Sequence, residues 1–163
     1  MLGQETADRI WCASFRGDRR ELMSFFKLAD DSEQQILSYL YLGEVLFASQ
    51  SGEALGHVLV LEHEAPKVFE LKSIAVAEGR QGQGVGGMLM RAAFRYCRSQ
   101  NAKGLKVSTS IADAKALGFY LRHGFRASRI VRDAFTPERG YPKYVGDSRV
   151  LLNDAIELEL LLS

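Results

Sequence analysis

Five of the chain's 15 glycines fall between positions 79 and 87, in the run Ala77-Glu78-Gly79-Arg80-Gln81-Gly82-Gln83-Gly84-Val85-Gly86-Gly87. Glycines at the opening of a helix let a ligand approach the backbone, and the N–H groups exposed there favour an anion such as a phosphate. Tight helix–strand packing is the plainer explanation, but five glycines in nine positions exceed what one close contact requires. Gly82 to Gly87 also spell G-x-G-x-x-G, which suggests a dinucleotide site. That site needs a strand–helix–strand unit with an acidic residue at the tip of the next strand. Here the next strand-like run ends in Ser108-Thr109-Ser110. No Gly-Lys-Ser/Thr follows the glycines, so a P-loop fails as well. Cys12, Cys97, His57, His63 and His123 are too scattered for a zinc pattern, and no metal is expected. Cys12 in an N-terminal strand and Cys97 on an apolar helical stripe read as core thiols rather than nucleophiles.

The elements around this loop set its context. The chain has 163 residues, 47% hydrophobic and 25% charged, with a net charge of +1. This is the balance of one folded domain, taken as residues 1–163, and not of a disordered or polyanion-binding chain. Residues 9–16 suggest a strand. Asp18 with Glu21 looks like a capping box before a helix bearing Leu22, Phe25, Phe26 and Ala29. A second helix opens at Ser32, with Ile36, Leu37, Leu40 and Tyr41 as its apolar face and Gly43 as its stop. Strand-like runs follow at 44–50 and 54–62, joined through Ser51-Gly52, and then at 68–76 after Pro66. Short connections make these three antiparallel. From Val85, the residues Met88, Leu89, Ala92, Ala93, Tyr96 and Cys97 recur at helical spacing. A strand at 104–110 is then parallel to 68–76 if that helix is a crossover. A short helix over 113–123, a strand at 125–133, a long loop at 134–153 and an alternating strand at 155–162 complete an α+β domain.

Two blocks then resemble a known family. Gln81-Gly82-Gln83-Gly84-Val85-Gly86 is similar to Q/R-x-x-G-x-G/A, the pyrophosphate-binding signature of the GNAT superfamily of acyl-CoA N-acyltransferases. Asp113-Ala114-Lys115-Ala116-Leu117-Gly118-Phe119-Tyr120, followed by Leu121-Arg122-His123-Gly124-Phe125, resembles the family's N-x-x-A-x-x-F-Y-x-x-x-G-F. The element order over 44–133 agrees. The resemblance implies a mixed, mostly antiparallel sheet in which strands 68–76 and 104–110 splay apart. Acetyl-CoA as co-substrate would lie in that gap. Backbone groups of Ile74 and Val76 would pair with its pantetheine arm, as a peptide adds to a sheet edge. Amides of Gln81, Gly82, Gln83, Gly84, Val85, Gly86 and Gly87 would hold its pyrophosphate, with Arg80 the best placed of Arg80, Arg91 and Arg95 to reach a phosphate. The N–H of Ile74 or Ala75 would stabilise the acyl oxygen. Asp113 stands where the family often has Asn, and it can accept a hydrogen bond but not donate one. Tyr120 corresponds to the tyrosine that protonates the departing thiolate. Glu70 corresponds to a general-base glutamate, with Glu62, His63 and Glu64 as alternates. A strand carboxylate paired with Lys72 is the plainer reading of Glu70.

The resemblance implies an N-acetyltransferase working by direct attack in a ternary complex. Its acceptor is expected to be the primary amine of a small molecule. A protein lysine, an N-terminus, or a non-catalytic acyl-CoA-binding module are the alternatives. Helices within 18–42 and the loop 134–153 would wall the acceptor site, and their mixed charges select no obvious substrate. No nucleic-acid or membrane partner is expected. The opening residues MLGQETADRIW lack a secretory pattern, so the expected location is cytoplasmic. The C-terminal strand either completes its own sheet or pairs across a homodimer.

Overall fold

The computed structural model describes residues 8–63 and 67–162. Glu64 and Pro66 therefore lie outside the described residues. The elements run β1 (Trp11–Ser14), α1 (Met23–Ala29), α2 (Glu33–Tyr39), β2 (Glu44–Gln50), β3 (Glu53–Glu62), β4 (Val68–Val76), α3 (Val85–Ser99), β5 (Gly104–Ser110), α4 (Ala114–Arg122), β6 (Arg126–Val131) and β7 (Ala155–Leu161). The strands form a seven-stranded sheet in the order β1-β2-β3-β4-β5-β7-β6. Every neighbouring pair is antiparallel except β4 and β5, the two joined through α3. This is the mixed, mostly antiparallel α+β sheet the sequence implies.

Local chemistry explains most boundaries. Ser32 caps α2 by accepting from the Gln35 N–H at 3.2 Å. Asp18 accepts from the Arg20 N–H, but it opens a 3-10 turn at Arg19–Leu22 that leads into α1, not one continuous helix. Ser51 (φ 50°) and Gly52 (φ 80°) both adopt positive φ, as a two-residue hairpin turn requires. The apolar face of α2 departs from expectation. Ile36 and Leu40 are buried, joined by Tyr39, while Leu37 and Tyr41 stay exposed. The helix stops at Tyr39, so Tyr41 is no longer on its turn. The alternating strand at 155–161 is enclosed in its own sheet, between β5 and β6.

Two cores sandwich the sheet. On one face, Val85, Leu89, Met90, Ala93 and Cys97 of α3 pack with Val58, Val60, Phe69, Leu71, Leu105 and Leu158. On the other, Phe25 and Phe26 of α1 and Ile36 of α2 pack with Val45, Leu59 and Ala75. β4 contributes to both through a bulge. Leu59 pairs with Ser73 and Val60 with Leu71, so Lys72 has no partner on β3. An extra residue reverses the alternation and bends the strand. Phe69 and Leu71 face α3 before the bulge, whereas Ala75 faces α1 after it.

Candidate active site

β4 and β5 are paired only over Val68↔Gly104, Phe69↔Leu105 and Glu70↔Lys106. Beyond Glu70 the Lys72 bulge turns β4 away, and β5 continues alongside β7. The strands part into a groove of about 610 Å³. Its walls include Ile74 and Val76 of β4, Val107 and Thr109 of β5, the 80–87 loop, and Phe119 and Tyr120 of α4. The Ala77 N–H donates to the Leu55 carbonyl at 2.8 Å, and Gly56 pairs with Val76. By the alternation of an antiparallel ladder, Ala75 is then bonded to β3, and the backbone groups of Ile74 and Val76 face the groove. Of the two candidate donors, Ile74 is the one whose N–H turns toward the cleft. The Val76 carbonyl accepts from Gln81 Nε2 at 3.1 Å, while Gln81 Oε1 accepts from Lys115 Nζ at 2.9 Å.

The groove ends at the start of α3. Gly84 is the N-cap with φ 83°, and no side chain caps the helix. The first bond within the helix runs from the Met88 N–H to the Gly84 carbonyl, which leaves the N–H groups of the opening turn without intrahelical partners. A Cβ at Gly82 (φ 77°) or Gly84 would meet nothing within 4 Å. Packing therefore does not explain these two glycines; backbone conformation and open approach do. Gly86 is different, since a Cβ there would come within 3.3 Å of the Phe119 ring. Gln81, Gly82, Gly84, Gly86 and Gly87 line the groove, Val85 is buried beneath the helix start, and Gln83 reaches back toward the Gly79 carbonyl. Arg80 lines the groove and donates to Gln50 Oε1. Arg91 and Arg95 do not line it.

Tyr120 is 7% exposed, with its ring edge-on to Phe119 and Phe125 at centroid distances of 5.5 and 5.8 Å. Burial, and then the nearby Asp113 carboxylate, push its phenol above the ordinary tyrosine range. The phenol thus stays protonated. Asp113 caps α4 by accepting from the Ala116 N–H at 3.0 Å. This explains an acid at that position, since Asp and Asn cap equally well. Asp113→Ala should cost about 1 kcal/mol and lower the melting temperature by about 2–4 °C. Asp113→Asn should melt with the parent chain in the same thermal scan. Burial raises both thiols, Cys97 to about 12, in keeping with core roles.

A second cavity of about 300 Å³ opens on the α1 side and shares Ala29, Lys72, Ser108, Thr109 and Asp113 with the groove. Glu70 lines it, 3.8 Å from Lys72 Nζ, with its side chain 21% exposed. The alternates Glu62 and His63 line neither cavity. The long loop closes this cavity with Phe135, Arg139 and Tyr141, and Ser32 Oγ ties that loop to α2 by donating to the Arg139 carbonyl at 2.7 Å. Asp30 and Asp31 complete the wall. Tyr39 donates to Asp30 at 2.8 Å, and burial, followed by the nearby Asp30 carboxylate, raises the Tyr141 phenol. Burial first, and the carboxylates of Asp30 and Asp113 next, raise Asp31. Sequence reasoning missed Asp30, Asp31, Lys115 and Arg122 as lining residues. The adjacent acid pair just ahead of the α2 cap was the one local signal.

Among the described residues there is no group of three or more His, Cys, Asp or Glu placed to hold a metal ion, and no helix is long and apolar enough to cross a membrane.

Known proteins share this architecture. An IAA acetyltransferase from Bacillus cereus superposes with a TM-score of 0.83 at 30% identity, over 94% of this chain and 100% of that one. A GNAT family acetyltransferase from Elizabethkingia anophelis, with acetyl-CoA bound, gives 0.85 at 28% over 95% and 99%. A Bacillus subtilis acetyltransferase in complex with CoA gives 0.83 at 26% over 95% and 100%. The uncharacterized Bacillus subtilis protein YxbD is 27% identical over 106 residues, 63% of this chain and 61% of its own length. Residues 8–125 match the acetyltransferase (GNAT) family, and the chain belongs to that family.

Proposed function

We propose that the chain is an acetyl-CoA-dependent N-acetyltransferase whose acceptor is the primary amine of a small cationic molecule. The observation that carries this is the parting of β4 from β5. It makes a groove that leads from an uncapped helix terminus to a second cavity across a shared wall. The groove fits the co-substrate on its own chemistry. Unpartnered N–H groups and Lys115 suit a pyrophosphate, and the edge of β4 at Ile74 and Val76, which β5 does not pair with, suits a pantetheine arm. Acetyl-CoA supplies an acyl group activated as a thioester. The chain supplies positioning and proton movements.

The second cavity carries Asp30, Asp31, Glu70 and Asp113 against Lys72 and Arg139. Four carboxylates thus face two cations, and the Arg139 side chain is held by the Ala134 carbonyl and Gln35 Oε1. The remaining excess of carboxylates attracts a protonated amine. An alkylamine with a pKa near ~10.4 must shed a proton to attack. Glu70, on the strand that borders both spaces, accepts that proton, with the Lys72 ammonium 3.8 Å from its carboxylate. The Ile74 N–H faces the acyl oxygen. Tyr120 gives its proton to the departing sulfur.

Initial rates with acetyl-CoA and a panel of mono- and diamines test the reading. Intersecting lines and a preference for amines bearing a second positive charge are expected. Parallel lines with a trapped acyl-enzyme would contradict direct attack. Glu70→Gln should lower kcat by about 10²-fold and leave the KM for acetyl-CoA near that of the parent. Full activity in that variant would remove Glu70 from the mechanism.

A further inference from the structure

His57 sits mid-strand in β3 and is 0% exposed. Its ring packs against Phe26 (centroids 4.2 Å) and Phe25 (6.1 Å) on the α1 side of the sheet. Its Nε2 lies 2.9 Å from Ser73 Oγ, and its Nδ1 is buried with no partner. An apolar ring would fill this space without the cost of burying a polar one. Burial holds the imidazole neutral, with its pKa pushed down to about 3. Ser73 lies on β4 one residue past the Lys72 bulge and lines the groove beside Ile74. The hydrogen bond to His57 is the one made by Ser73 Oγ among the described residues.

A neutral imidazole carries one proton. On Nδ1 that proton would be a buried donor with no acceptor, the rarer and costlier kind of orphan. On Nε2 it donates to Ser73 Oγ and leaves only a lone pair unmatched. The second arrangement gives Ser73 a direction. Its oxygen accepts from His57, and its own O–H is free to turn to the one open space it borders. A donor there would weaken an attacking amine by tying up its lone pair. The same donor favours the acyl oxygen, which gains negative charge as the amine attacks.

We propose that Ser73 is a further catalytic residue, donating a hydrogen bond to the acyl oxygen beside the Ile74 N–H, and that His57 is the positioning residue that fixes Ser73 as a donor. The proposal rests on the acetyltransferase reading above and requires no bond to Ser73.

Nitrogen-15 spectra of the imidazoles in the ligand-free protein test the first step without any turnover. They should show His57 protonated at Nε2 and bare at Nδ1; the opposite tautomer overturns the proposal. Ser73→Ala should then lower kcat by about 10²-fold, with the calorimetric affinity for acetyl-CoA unchanged. His57→Phe, whose ring suits its aromatic neighbours, should lose as much. The double variant should be no slower than either single one. His57→Gln, which can present an amide N–H near the place of Nε2, should recover most of the rate lost in His57→Phe. Full kcat in Ser73→Ala, or losses that multiply in the double variant, would overturn the assignment. Should His57→Phe fail to fold, the spectra and Ser73→Ala still decide. A parent chain that gives no binding heat with acetyl-CoA removes the acetyltransferase reading itself, and this proposal falls with it.

Discussion

Tyr120→Phe should reduce kcat by at least about 10²-fold, the usual worth of a positioned proton donor, while acetyl-CoA binds as tightly as before. The ring is held edge-on between Phe119 and Phe125, and phenylalanine keeps both contacts. What the change removes is the hydroxyl of a residue that lines the groove. Its raised pKa sets the pH behaviour. A general acid fails as pH rises through its own pKa, and burial puts that of Tyr120 above the tyrosine range. The parent enzyme should therefore show no alkaline decline from this residue below about pH 10, the ordinary phenol value. Rate profiles of both proteins between pH 6 and 10, with binding followed by calorimetry, make the comparison. An undiminished Tyr120→Phe rate would return the proton to water or to another group.

The second large effect falls on binding. Gly84→Val should weaken acetyl-CoA by at least about tenfold if the proposed site holds, because the side chain would stand beside the opening N–H groups of α3 that are proposed to meet a diphosphate. At φ 83° it is also strained, by about 1–2 kcal/mol. That strain alone should lower the melting temperature by roughly 2–8 °C. Gly52→Val separates the two causes. Gly52 has φ 80° and, like Gly84, open space around the missing Cβ, but it sits in the β2–β3 hairpin turn. Similar melting losses with an affinity change confined to Gly84→Val are expected. Equal affinity losses in both variants would mean that the loop's role is structural.

Local signals were readable where local physics decides. The Ser32 cap, the Ser51-Gly52 turn, the α3 stripe and the strand bounds at 44–50, 68–76 and 104–110 all follow from turn chemistry and periodicity. The β4–β5 parting was visible only through the family resemblance, because the Lys72 bulge is a matter of register against β3, which the residues of β4 alone do not specify. Leu37 illustrates the opposite failure. It keeps helical spacing with Ile36 and Leu40, yet no element covers that side of α2. The carboxylate wall was harder still. Asp30 and Tyr141 stand far apart in sequence and meet where Ser32 and Gln35 tie α2 to the late loop.

The position of β7 also governs how the protein can be made. On a ribosome β5 and β6 emerge first, yet they never pair with each other; the strand that joins them is translated last. At roughly 5–20 residues per second, the nascent chain spends a few seconds with the far edge of β5 unsealed. That exposed ladder is a template for stray strands from other chains. Solubility during expression should thus depend on how quickly the final strand threads into its slot, and slow translation there would lengthen the hazard.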